Sequence, residues 1–235
     1  MLIYLSFLTA IGLYLCSMFL KKGRQIGVTV FAILFVLCTA GVTANYSHHW
    51  GMKKVTTTTT QKIYSAAGKQ LPINLYQPVG TSGKDNVFLY KTSVNQKKPL
   101  HTQANELTYS TDKTSSNDQA RIVTKETRWR YQNGFYKFLF IGTGINNKLV
   151  HRQNVLYYPQ GYVKVSVSQA KKLKKIMANQ KSPSAQAALK QQASAYINQK
   201  IANAKTNDPR KIKQITKQAQ IAFQGQTIQR ALQQK

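Results

Sequence analysis

Two long runs of apolar residues dominate the start of the chain. Residues 2–20 and residues 26–44 contain no charged side chain. Each run would form a helix about 28 Å long at about 1.5 Å per residue, which matches a hydrocarbon core of about 30 Å. The basic segment between them, residues 21–25, is long enough only for a tight turn. The pattern therefore predicts two transmembrane helices that form a hairpin within residues 1–45.

Two other interpretations of these runs are weaker. A signal peptide starts with a basic segment and ends at small residues, and residues 1–20 show neither feature. Helices in the core of a soluble domain seldom stay uncharged over such a length. Tyr46 and Trp50 follow the second run, and aromatic side chains of this kind are typical of the headgroup region. Residues 45–52 are therefore predicted to lie at the membrane interface.

From residue 55 onward the pattern changes to short β-rich runs separated by turn residues. β-Branched and aromatic side chains are enriched in strands. They recur here in eight segments: residues 55–60, 71–76, 86–91, 106–110, 122–131, 135–141, 155–158 and 162–167. Strands at this spacing are typical of a small sandwich or open barrel. Residues 55–168 are therefore predicted to form a small, mostly antiparallel β domain.

The clearest local signal in this region is Asn133-Gly134. Asn-Gly between two β-rich runs favours a type I′ turn, so a hairpin is predicted over residues 122–141. Alternation along a strand places Arg128 and Arg130 on one face, and Trp129 on the other face against the β core. The two arginines are candidates for contact with phosphate or an anionic sugar, although solvation of a plain amphipathic hairpin is the simpler explanation.

Residues 169–235 are rich in Ala, Gln and Lys and carry apolar residues at helical spacing. Ser182-Pro183 and Asp208-Pro209 each combine an N-cap residue with proline at the first helical position. Gly225 is expected to weaken the last helix, because glycine disfavours helix interiors. The whole chain is thus predicted to be a membrane-anchored α+β protein with a helical hairpin, a β domain and a basic helical tail.

The net charge of +28 is distributed unevenly: residues 1–54 carry +5, residues 55–168 carry +10 and residues 169–235 carry +13. Such a surface attracts polyanions, for example anionic lipid headgroups, phosphate-bearing wall polymers or nucleic acid. Self-repulsion that keeps an exported protein soluble is the alternative. Besides the two arginines, the candidate anion contacts are clustered basic residues of the tail: Lys171, Lys172, Lys174, Lys175, Arg210, Lys211 and Lys213.

The basic turn also bears on the location of the rest of the chain. Lys and Arg near helix ends are retained in the cytoplasm, so residues 21–24 favour a cytoplasmic turn with both termini outside. Three lysines within residues 53–62 oppose this assignment. Cys16 and Cys38, the two cysteines of the chain, lie in the apolar runs. An exported domain without disulfides is typical of a Gram-positive cell surface.

Several of these segments carry a family resemblance. Residues 54–65 (KVTTTTTQKIYS), residues 75–85 (LYQPVGTSGKD) and residues 87–91 (VFLYK) follow the double apolar hairpin. Together they resemble a family from lactic acid bacteria known as domain of unknown function 4811. The resemblance covers about residues 1–175. It implies a membrane location and brings no catalytic residue with it.

No arrangement of residues indicates catalysis, a metal or a cofactor. His48-His49 lacks a third ligand nearby, so solvated interfacial histidines are the better interpretation. Residues 142–147 resemble a phosphate-binding glycine loop, but the third glycine is absent and a turn is expected. No nucleophile elbow surrounds any serine. The chain is therefore not expected to be an enzyme.

The leading hypothesis is a non-enzymatic cell-envelope protein whose basic domain contacts anionic polymers or lipid headgroups. One alternative is an accessory subunit of a membrane complex such as a transporter. In that case Ala10, Gly12, Gly27 and Gly41 would let partner helices approach closely. A second alternative is nucleic-acid binding through the tail, which a cytoplasmic location of the domain would favour.

Overall fold

The computed structural model describes residues 1–68, 71–80, 85–179 and 183–233. The chain divides into two compact units, which are described separately below. The first unit comprises residues 1–57 and 126–152, and the second comprises residues 58–125 and 153–235.

The described residues form helices and strands along the whole chain. The helices are α1 (Leu2–Phe19), α2 (Arg24–His48), α3 (Gly134–Leu139), α4 (Val167–Asn179), α5 (Pro183–Asn203) and α6 (Pro209–Gln233). The strands are β1 (Met52–Lys62), β2 (Tyr64–Ser65), β3 (Ile73–Val79), β4 (Asp85–Lys91), β5 (Leu100–His101), β6 (Thr108–Ser115), β7 (Arg121–Tyr131), β8 (Leu149–Pro159) and β9 (Val163–Ser166).

Helices α1 and α2 confirm the two predicted apolar helices. Both are long and apolar enough to cross a membrane, and only 6% of the most apolar 18-residue segment of each helix is buried. Helix α2 continues four residues past the predicted end, to His48. Gly23 begins this helix in the left-handed region at φ 70°, where glycine is unstrained.

Glycines lie where α1 and α2 pack against each other. A Cβ added to Gly12 would come 2.5 Å from the ring of Phe31, and one on Gly27 would come 3.2 Å from the sulfur of Cys16. One on Gly41 would meet Leu2 at 3.0 Å. The small residues therefore serve close packing inside the helix pair.

The strands form two sheets, as expected for an α+β protein. One sheet has the order β1-β7-β8-β6, and the other has the order β2-β4-β3-β9 with β5 beside β4. Strands β3 and β4 are antiparallel, whereas β3 and β9 are parallel. Neither sheet closes into a barrel within the described residues.

Two apolar clusters are found among the described residues of the second unit. The first is formed by Ile63, Phe88, Ala120, Ile122, Leu156 and Tyr158. The second joins strands β3 and β9 to helices α4 and α6, and its buried members are Ile73, Val163, Val165, Leu173 and Ile228. Helices α4 and α6 of the tail therefore pack in the same apolar cluster as strands β3 and β9.

Gly225 does not interrupt α6, contrary to the expectation that it would weaken the helix. The helix runs unbroken from Pro209 to Gln233. Gly225 is buried against the carbonyl oxygen of Gly161, in the turn between β8 and β9, and a Cβ at position 225 would collide with that oxygen. Glycine is present here because two backbones touch, and this tertiary contact outweighs its low helix propensity.

The predicted hairpin over residues 122–141 is wrong. Its first strand is β7, but the segment after Gly134 forms helix α3 instead of a second strand. The Asn133 side chain caps this helix by accepting a hydrogen bond from the backbone N–H of Tyr136 at 3.1 Å. Asn-Gly therefore starts a helix here, because asparagine is as good an N-cap as it is a turn residue.

The helix starts predicted in the tail have different outcomes. The Oδ1 atom of Asp208 accepts a hydrogen bond from the backbone N–H of Arg210 at 2.9 Å, so the predicted N-cap of α6 is confirmed. Ser182 lies outside the described residues, while Pro183 does begin α5. Helix α5 packs on α6 through Tyr196 and Phe223, whose ring centroids are 5.8 Å apart.

Candidate functional site

The basic residues of α4 lie on both sides of one buried residue, Leu173. Leu173 is 3% exposed and belongs to the apolar cluster with β3 and β9. The four neighbouring candidates are all exposed: Lys171, Lys172, Lys174 and Lys175. Burial of Leu173 fixes the helix, and so it fixes these four cations on the surface of the unit.

The candidates on α6 lie near its start, with Arg210 and Lys211 in the first turn and Lys213 at the beginning of the second. Arg210, Lys211 and Lys213 are exposed, and the preceding Asp208 is the N-cap. Cations near a helix N-terminus face the positive end of the helix dipole, which costs about 0.3–1 kcal/mol each at low salt. Helix stability therefore does not explain why they occur there, whereas an external anion would relieve the repulsion.

Few carboxylates of the second unit neutralise these cations. Among the described residues of this unit, the ion pair present joins Lys164 to Asp112 at 2.8 Å. Asp118 accepts a hydrogen bond from Gln218. The seven tail candidates take part in none of the described ion pairs. Their positive field is thus directed to solvent.

An apolar cavity of about 730 Å³ borders the basic face of α4. Its wall includes Ile73, Leu75, Val167, Leu173, Met177 and Leu189, and it also includes the two candidates Lys171 and Lys174. Apolar walls next to ammonium groups suit a molecule that is partly apolar and partly anionic.

Arg128, a candidate in the first unit, is already engaged. Its Nε donates to Glu126 Oε2 at 2.8 Å, and one of its terminal nitrogens donates to the carbonyl of Asn147 at 2.9 Å. Arg152 Nε donates to the other carboxylate oxygen of Glu126 at 2.7 Å. Burial opposes ionisation of Glu126, but the two arginines outweigh it and lower the pKa of its carboxyl group. Arg130, by contrast, is exposed.

Trp129 does not pack against the β core as predicted. It is half-buried and stacks on His49, with ring centroids 4.0 Å apart and ring planes at 20°. Nearby, the ring of Trp50 makes edge contacts with Tyr136 at 6.2 Å and Phe140 at 5.8 Å. We call these five side chains the junction cluster, since they join the end of α2 to β7 and α3.

Sequence reasoning identified one member of the junction cluster in its interfacial role. Trp50 is detectable as an interfacial aromatic residue. The contribution of Tyr136 and Phe140 was missed, because they were assigned to a strand. Their spacing of four residues is the signal that fits a helix face and would have pointed to α3.

The remaining motifs add no chemistry. Gly142 and Gly144 adopt φ 94° and φ 75° in a turn after α3, which confirms the predicted turn. Among the described residues, no group of three or more His, Cys, Asp or Glu side chains lies close enough together to hold a metal ion.

Comparison with models of protein families identifies a family for this chain. The model of the family described as Domain of unknown function (DUF4811) matches residues 21–173, about two thirds of the chain. This match confirms the resemblance found in the sequence, although it begins after the first apolar helix. Neither the curated proteins nor the solved structures gave a significant match.

Proposed function

The chain belongs to the DUF4811 family, and we propose that it is a non-enzymatic, membrane-anchored protein of a Gram-positive cell envelope. Helices α1 and α2 are the anchor. The basic domain contacts anionic polymers or lipid headgroups. Both termini lie outside the cell, because the basic turn between the two helices is retained in the cytoplasm.

One observation carries the proposal: the seven basic tail residues are all exposed on α4 and α6, which the apolar cluster holds in place. Exposed cations on a fixed surface attract polyanions at little entropic cost. Near an anionic bilayer each basic residue contributes about 1 kcal/mol. Anchoring to the same membrane raises the effective concentration further, so individually weak contacts add up.

The apolar cavity beside Lys171 and Lys174 favours a ligand with both apolar and anionic parts. An anionic lipid, or a wall polymer carried on a lipid anchor, has both parts and a phosphate in common. A free hydrophilic polymer would use the basic surface alone. Binding to a lipid and binding to a free polymer are distinguished by measuring each one separately.

The test uses the full-length protein in nanodiscs of neutral lipid. Binding is measured to poly(glycerol phosphate) and to vesicles containing phosphatidylglycerol, each over a range of salt concentrations. One variant replaces Lys171, Lys172, Lys174 and Lys175 with Gln. The matched control replaces four exposed lysines elsewhere in the same unit with Gln: Lys62, Lys97, Lys98 and Lys113.

The α4 variant should lose most of its binding and of its salt dependence, while the control retains both. Equal losses in the two variants would mean that net charge alone acts, with no specific surface. Absence of binding by the unmodified protein at low salt would contradict the proposal.

Topology is tested on wall-stripped cells. External protease should digest residues 45–235 without lysis if the domain is extracytoplasmic. Digestion only after lysis would reverse the orientation and favour the nucleic-acid alternative.

A second candidate function, accessory subunit of a membrane complex, has less support. Gly12, Gly27 and Gly41 face side chains of the other helix in the pair. They are therefore occupied by contacts within the pair and are not available to a partner helix.

A further inference from the structure

Helix α3 leaves an apolar surface uncovered on its outer side. Phe135, Phe138 and Ile141 are 65%, 59% and 49% exposed. Successive members are three residues apart, so the two phenylalanines share one face of the helix. Tyr136 and Phe140 face the other way, into the junction cluster. The helix thus buries one aromatic face and exposes a second one.

The end of α3 lies beside the first turn of α1. The amino nitrogen of Met1 is 3.1 Å from the carbonyl oxygen of Phe138 and 3.0 Å from that of Leu139. A Cβ added to Gly142, just after α3, would be 4.0 Å from Ile3 and from Tyr4. The 18 residues of α1 span about 27 Å as a helix. If α1 crosses the hydrocarbon core, Met1 marks its edge, and α3 lies at that edge.

The unit that contains α3 also carries cation–aromatic contacts. Lys148 lies over the ring of Tyr46 at 5.8 Å, and Lys54 lies over Trp129 at 5.2 Å. Lys137 is exposed on α3 itself. Aromatic rings with adjacent cations are typical of membrane–water interfaces, where they meet anionic headgroups.

We propose that α3 is an interfacial membrane-binding helix whose Phe135 and Phe138, together with Ile141 in the turn that follows, insert into the bilayer edge. This inference rests on the proposed anchoring by α1 and α2 and adds a third attachment to it. Apolar side chains that would otherwise face water are covered by lipid, and Lys137 reaches the headgroup phosphates. Helix α3 would thereby fix the orientation of the first unit relative to the bilayer.

The experiment measures the depth of single positions in the full-length protein, reconstituted in vesicles containing phosphatidylglycerol. Cys16→Ala and Cys38→Ala supply a cysteine-free background. An environment-sensitive NBD label is placed in three separate variants: Phe135→Cys, Thr57→Cys and Leu37→Cys. Thr57 is exposed on β1, about 16 Å along the strand from Met52 at about 3.3 Å per residue. Leu37 is 62% exposed on α2 and reports on the anchor.

Nitroxide-labelled lipid should quench the label at position 135 nearly as strongly as the label at position 37, and should leave the label at position 57 unquenched. Adding Phe138→Asp should reduce the quenching at position 135. If position 37 is quenched but position 135 is not, the proposal for α3 fails while the anchor stands. If position 37 is also unquenched, both proposals fail. A shielded but unquenched label at position 135 would indicate a protein partner and would likewise overturn the lipid assignment.

Discussion

His49, the residue that follows α2, stacks on Trp129 of β7 with ring centroids 4.0 Å apart. Stacked aromatic pairs contribute about 0.5–1.5 kcal/mol beyond the area that they bury. The chain leaves α2 in a left-handed turn, with His49 at φ 57°. The stack therefore holds the chain at the point where the apolar helices meet the sheet.

We expect Trp129→Ala to lower the melting temperature of the detergent-solubilised protein, at a cost of about 1–3 kcal/mol, because the ring is half-buried. His49→Ala should lower the free energy of unfolding by part of the same amount. A double-mutant cycle should give a coupling of about 0.5–1.5 kcal/mol. His48→Ala is the matched control, since that histidine is exposed. Additive losses in the cycle would show that the stack contributes nothing.

Stability in acid should depend on Glu126. Its pKa is lowered in the folded protein, so its ion pairs stabilise the fold fully above its ordinary pKa of about 4.3, and this contribution is lost as pH falls through the folded value. Glu126→Gln should lower the free energy of unfolding by about 1 kcal/mol near neutral pH. The variant should then lose less stability than the unmodified protein as the pH falls. Melting curves from pH 7 to pH 3 provide the measurement. Glu106→Gln, at an exposed position, is the control; if both variants show the same profile, the role of Glu126 is refuted.

Gly225→Ala should destabilise the second unit by about 1–3 kcal/mol, because its methyl group would collide with the carbonyl of Gly161. Thermal denaturation followed by circular dichroism measures the loss. Gly134→Ala is the control, since a Cβ there meets no atom within 4 Å. A gain of stability at position 225, as helix propensity alone would give, would contradict the described contact.

Asn133→Ala should destabilise α3 by about 0.5–2 kcal/mol through loss of its N-cap. Asn133→Asp should retain the cap, since a carboxylate accepts the same hydrogen bond and favours the helix N-terminus. Proteolysis within residues 134–141 reports on the integrity of the helix. Equal resistance of the Ala and Asp variants would argue against capping by this side chain.

The sequence allowed correct predictions where a structural feature depends on residues that are close together in the chain. Residues 2–20 and 26–44 are uncharged and predominantly apolar, so their helices follow from the run itself. Asp208 was identifiable as an N-cap because its partner, the N–H of Arg210, is two residues away. Both predictions needed no knowledge of distant contacts.

One of the wrong predictions, the strand over residues 135–141, arose where local signals were ambiguous. Asn-Gly starts both hairpins and helices, and the aromatic residues after it favour strands. Contacts with Trp50 and Met1 stabilise the helix, and both residues are more than eighty positions away. The ring pairs of the junction cluster also depend on contacts between distant residues, although the four-residue spacing of Tyr136 and Phe140 is a local sign of a helix face.

The apolar cluster of β3, β9, α4 and α6 combines residues that are synthesised at widely separated times. Ile73 leaves the ribosome long before Ile228, which packs in the same cluster. At about 5–20 residues per second the delay is about 8 to 30 s. During that time Ile73 lacks its partner on α6, so the cluster is completed only after Ile228 has been synthesised.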